Sequence, residues 1–235
     1  MKHILLSIMA VMAIALYTSP ANAQRLEVKK VDFDSIGTAV NDPKSKYYYP
    51  RLMEKFLSND TVLRHEDYRH LYYGYTFQED YDPVRMSVSD YPDNIRDLYY
   101  KKDFTRAECD TIIKYAELTL HDNIFDLNQM NFYIFALKKK EKNTLASIRQ
   151  YKLNHLVAAI LSSGNGSKEK PWVVISVSHE YNLLNMLGFV ATGHKDEGNN
   201  IDYILVEQKD KNSPEGFYFD VSRINEVTAE KYREE

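Results

Sequence analysis

Five side chains, the adjacent pair His179-Glu180 followed by His194, Asp196 and Glu197, are the groups in this chain best suited to hold a metal ion or move a proton. Imidazole and carboxylate together suit zinc. A zinc-binding helix, however, places two histidines four residues apart on one face, and His179-Glu180-Tyr181 does not. Asp196-Glu197-Gly198 has the composition of a hairpin turn. The expectation is no metal and no cofactor. As acid–base groups, His179 and Glu180 fit a hydrolase acting on glycans or peptides, provided they converge in one concave pocket. Nucleophile signals are thin. Gly164-Asn165-Gly166-Ser167 is not the G-x-S-x-G elbow, and a helix ending as the chain changes layer accounts for it. Neither a phosphate-cradling Walker loop nor a dinucleotide fingerprint occurs. Carboxylates are abundant, but a glycosidase pair is defined by distance in space rather than along the chain.

Tyrosine is the second conspicuous feature, with 19 in the chain and a crowd of them between Tyr47 and Tyr100. A phenol joins an apolar ring to a polar tip, which suits both packed layers and binding surfaces. Tyr68, Leu71, Tyr72 and Tyr75 fall at i, i+3, i+4 and i+7 and read as the buried face of a helix. Tyr73 points elsewhere, and with Gln78 and Tyr81 of the following loop it forms a candidate exposed group. The residues expected to bind a partner or ligand are therefore Tyr73, Gln78, Tyr81, His179 and Glu180, with none assigned a catalytic role.

These residues are positioned by two kinds of element. Phe104-Thr105-x-x-Glu108-Cys109 and Phe125-Asp126-x-x-Gln129-Met130 both read as a capping box with a hydrophobic staple, so each opens a helix. A third helix begins near Thr144 and ends before Gly164. Upstream, apolar spacing predicts helices over Pro43–Leu57, from about Glu66 to Tyr75, and from Tyr91 with Asp90 as cap. Helix-turn-helix units in series make a tetratricopeptide-like (TPR-like) layer. Starts near residues 105, 126 and 144 are too uneven for a true 34-residue repeat. Past Ser167 the composition turns β-rich, with strands expected at Trp172–Val177, Phe189–His194, Ile201–Gln208 and Gly216–Ser222 and one short helix after Ser178. The expected fold is α+β: an N-terminal TPR-like antiparallel helical layer, then a small mainly antiparallel β-sheet with one short helix.

The organisation that follows is a signal peptide over 1–23, an extended lead-in over 24–42, the helical layer over 43–166, a β-rich part over 167–226 packed on the helices, and a charged tail over 227–235. The first segment has a polar start at Lys2 and His3, an apolar run from Ile4 to Leu16, and Ala21-Asn22-Ala23 as a cleavage site. Export to the periplasm or beyond follows. That run is too short to span a membrane, and no other approaches spanning length. The net charge of −4 at pH 7, without a basic patch, argues against nucleic acid as a partner. Cys109 is the sole cysteine, so no internal disulfide forms.

Leu71-Tyr72-Tyr73-Gly74-Tyr75, Gln78 and Tyr81-Asp82-Pro83 resemble a family of exported Bacteroidetes-type proteins built on a domain of unknown function. Ser163-Gly164-Asn165-Gly166-Ser167, His179-Glu180-Tyr181, Leu187-Gly188-Phe189 and Tyr218-Phe219-Asp220-Val221 extend the resemblance over most of the chain. Asn165 stands where the family has an acidic residue. The resemblance implies export from a Gram-negative cell and brings no catalytic residues. The leading expectation is non-enzymatic binding of a protein partner or a glycan or peptide ligand through the helical layer and the Tyr-rich loop. The alternative is a periplasmic hydrolase.

Overall fold

The computed structural model describes residues 27–59, 61–84, 93–101 and 103–233. The expected signal peptide and the expected cap at Asp90 lie outside these residues. The chain divides into two compact units, one from residues 85–154 and a larger one joining the stretch up to Val84 to His155 and beyond.

In the larger unit, the Asp32 carboxylate accepts from the Ser35 N–H at 3.0 Å and opens α1 (Phe33–Asn41). An extended lead-in was expected here. Ile36 and Val40, one turn apart, bury instead, and with only these two large apolar residues between Asp34 and Asn41 the period is too short to read. α2 (Tyr49–Leu57) starts with a proline in its first turn and buries Tyr49, Leu52 and Phe56. α3 (His65–Gly74) follows and tightens into a 3-10 turn at Tyr75–Phe77. Gly74 marks where α1 meets α3, since a Cβ there would lie 2.6 Å from Val40 Cγ1.

The smaller unit is helical. A 3-10 segment, Asp93–Tyr100, occupies the place of an expected α-helix. α4 (Arg106–Asp122) opens on the expected capping box: Glu108 N–H donates to Thr105 Oγ1 and Thr105 N–H donates to Glu108 Oε2. Phe104 packs on the cluster of Cys109, Ile112 and Ala136. α5 (Leu127–Lys139) is capped by Asp126, which accepts from Gln129 N–H at 2.9 Å. The reciprocal half is missing, because the Asp126 N–H donates to Asn123 O at 3.1 Å, while the Gln129 amide donates to the Tyr99 hydroxyl. The division between units falls within α6 (Asn143–Leu161).

The larger unit also holds a four-stranded mixed sheet of order β1-β4-β3-β2. β2 (Ala191–Asp196), β3 (Ile201–Val206) and β4 (Gly216–Asp220) pair antiparallel, and β1 (Trp172–Val173) pairs parallel with β4. α7 (Val177–Met186) and α8 (Ser222–Lys231) flank it, so the β-rich part carries two helices rather than one. The architecture is α+β, with eight α-helices among the described residues. None of the described helices is long and apolar enough to cross a membrane.

Candidate functional site

Tyr73 and Tyr81, expected at the surface, are buried at 0% and 2% exposure. The correction has a physical reason: their hydroxyls reach backbone carbonyls in the interior. Beyond β1 the chain leaves the ladder with its amides and carbonyls still in the interior, where each needs a partner. Tyr73 donates toward Val173 O and Ala159 O at 3.2 and 3.3 Å, and Tyr81 donates to Ile175 O at 2.9 Å. Tyr72 accepts from Ile175 N–H at 3.3 Å. Side chains thus take bonds of Val173 and Ile175, while Val174 N–H still donates to Asp220 O at 3.2 Å, and the strand expected over Trp172–Val177 stops after two residues. Burial raises the Tyr73 hydroxyl to about 12 and lifts Tyr72 and Tyr81 well above the usual phenol range. Gln78, half-buried, turns back to donate to Gly74 O at 3.2 Å.

His179 and Glu180 sit in the first turns of α7 and diverge. His179 faces α3, its Nδ1 2.7 Å from the Tyr72 hydroxyl. Glu180 faces the sheet. Both carboxyl oxygens are buried without a donor, at 0% exposure for the residue, and the group opposite is Asp202 of β3. Burial first, then the charge of Asp202 and a hydrogen bond to it, pushes the Glu180 carboxyl up to about 9. Two carboxyls hydrogen-bond only if one keeps its proton. Asp202 Oδ2 in turn meets His194 Nε2 of β2 at 3.2 Å, and the imidazole is 43% exposed. Of the expected site residues, then, Glu180 and His194 converge through Asp202, whereas His179, Tyr73 and Tyr81 serve the interior.

The sheet has two unlike faces. Ile204 and Val206 bury on the face that carries Asp202, while Ile201, Tyr203 and Leu205 alternate onto the other and stay half-exposed. Tyr203 pairs across strands with Tyr218, their ring centres 4.5 Å apart. A Cβ at Gly216 would come within 2.5 Å of Tyr203 Cζ, so glycine there lets the ring lie across β4. Lys168 extends over Tyr218 and pairs with Glu197 at 3.1 Å, placing charge at the rim. Solvated faces of antiparallel sheets are ordinarily polar. This one is aromatic and aliphatic.

A family model described as a domain of unknown function, DUF4919, matches residues 34–230. The chain belongs to this family. No curated protein and no solved structure gives a match. Two features of this DUF4919 domain, absent from the expected site, nevertheless leave signals in the sequence. Glu180 shares the helical period of Leu183 and Leu184, and Asp202 shares the two-residue period of Ile204 and Val206. A carboxylate set into the apolar period of each of two elements marks a buried acidic pair. Tyr218, by contrast, alternates with Phe217 and Phe219 and shares its half with Asp220, where an aromatic residue signals a surface role, and Tyr203 is its cross-strand partner.

Proposed function

We propose that this DUF4919 chain is an exported, non-enzymatic binding protein that takes a glycan on the open face of its sheet, over Tyr203 and Tyr218. One observation carries the binding reading: half-exposed Ile201, Tyr203, Leu205 and Tyr218 share the face opposite the packed core. Phenol rings present a flat apolar surface with a hydroxyl at its edge, and a sugar offers C–H faces and hydroxyls in matching order. Lys168, Lys195, Glu197 and Glu215 around the rings supply donors and acceptors at the rim. Export rests on the segment from Lys2 to Ala23. The helical hairpin of α4 and α5, with its two capped starts, supports a TPR-like reading of that layer, now as scaffold.

Hydrolysis is the weaker reading. Glu180 has the raised affinity for protons that suits a general acid. A catalytic acid must nevertheless touch its substrate, and Glu180 has no exposed surface. The test is titration of the purified chain with soluble β-1,4-linked tetrasaccharides of N-acetylglucosamine and of glucose. Saturable binding of either, weakened at least tenfold by Tyr203→Ala or Tyr218→Ala with the melting temperature kept, supports the proposal. Binding of neither, or binding indifferent to both substitutions, overturns it.

A further inference from the structure

Glu180 and Asp202 come from different elements and face each other with no cation between them. No lysine or arginine among the described residues pairs with either. We infer that the two carboxyls hold one proton between them, and that this proton is a latch joining α7 to strands β3 and β2, released as the pH rises. The inference does not depend on which ligand the open face takes.

The groups around the pair are few. From β3 comes Asp202 itself. From β2 come His194, bonded to Asp202 Oδ2, and Asp196, the register partner of Asp202. From α7 come Tyr181, whose hydroxyl feels both carboxyls, and His179, which is turned to Tyr72 of α3. His194 is thus the one group here able to carry positive charge toward the pair, and it reaches only Asp202. With the proton in place, Glu180 O–H donates to the Asp202 carboxylate, whose Oδ2 lies 3.2 Å from His194 Nε2. On dissociation the O–H bond breaks, its electron pair stays on Glu180 and the proton leaves to solvent. Two negative charges then face each other in the interior, and like charges so placed repel.

The direction of the pH effect follows. The folded chain holds this proton up to about pH 9, whereas an unfolded glutamate releases it near 4.5. Between those limits the folded state binds more protons. Its stability is therefore full below the lower limit and is lost as the pH rises, by about tenfold in the folding constant per unit.

The experiment compares wild type with Glu180→Gln by urea denaturation and amide hydrogen exchange from pH 5 to 9. Expected is a wild-type folding constant that falls relative to that of Glu180→Gln by at least a hundredfold across the range. Protection from exchange in α7, β3 and β2, taken against the intrinsic rate at each pH, should fall above pH 8 in the wild type alone. Parallel profiles for the two proteins would overturn the latch. Should Glu180→Gln not fold, the carboxyl carbon resonance of Glu180 in the wild-type protein decides. A midpoint above pH 8 supports the shared proton, and one below pH 6 overturns it.

Discussion

Tyr72, Tyr73 and Tyr81 each place a hydroxyl against backbone groups of the interior, and Arg69 works in the same way. Arg69 is buried in α3 and donates to Ser162 Oγ at 2.5 Å and to Lys29 O at 3.1 Å. Removing one partner of a buried hydrogen bond costs about 1–3 kcal/mol, because the other is left unsatisfied. Tyr72→Phe and Tyr81→Phe should each destabilise by that amount in urea melts, and Tyr73→Ala by about 3–5 kcal/mol as a lost aromatic core residue. A loss under about 0.5 kcal/mol for all three would mean these rings are not clamps. The sequence reveals the buried face of Tyr68, Leu71, Tyr72 and Tyr75 because one stripe has a period. It hides Tyr73 because α3 is enclosed on more than one side, and periodicity identifies only one. Glu180, expected to bind a ligand, is fully buried opposite Asp202 and meets none at the surface.

At the scale of elements, local chemistry was the most legible. Thr105 and Glu108 announce α4 by residue type and spacing, and the bonds formed are those the types demand. Thr105→Ala should cost about 1 kcal/mol of stability. The same signal at Asp126 is half realised, since the Asp126 N–H bonds Asn123 O instead and the Gln129 amide turns to Tyr99. No local pattern contains Tyr99, which is distant in sequence. β1 is shorter than expected: Trp172 to Val177 has every mark of a strand, but tyrosines from α3 and the loop after it bond the backbone of Val173 and Ile175. At Gly74 a side chain must displace Val40, so Gly74→Val should destabilise and loosen α1, visible as faster amide exchange over Phe33–Asn41. Exchange unchanged there would show that the contact is dispensable.

For the whole molecule, composition pointed to an α+β chain in which helices precede strands, and pairing β1 parallel beside β4 is a long-range outcome that no strand's own sequence states. What composition left open is which surface meets a partner, because exposure is a property of the assembled layers. The larger unit turns its titratable pair inward and its paired rings outward. Export, as proposed, predicts that the chain secreted from a Gram-negative host begins at Gln24. A secreted chain still beginning at Met1 would contradict cleavage at Ala23.

The most direct measurement is a residue-resolved map of amide shifts in the 15N-labelled chain on titration with the N-acetylglucosamine and glucose tetrasaccharides. Binding by the outward rings predicts saturable shifts for one of them, concentrated at Ile201, Tyr203, Leu205, Gly216 and Tyr218, with the amides of His179 and Glu180 unmoved. Shifts centred on His179 and Glu180, or none with either sugar, would contradict it.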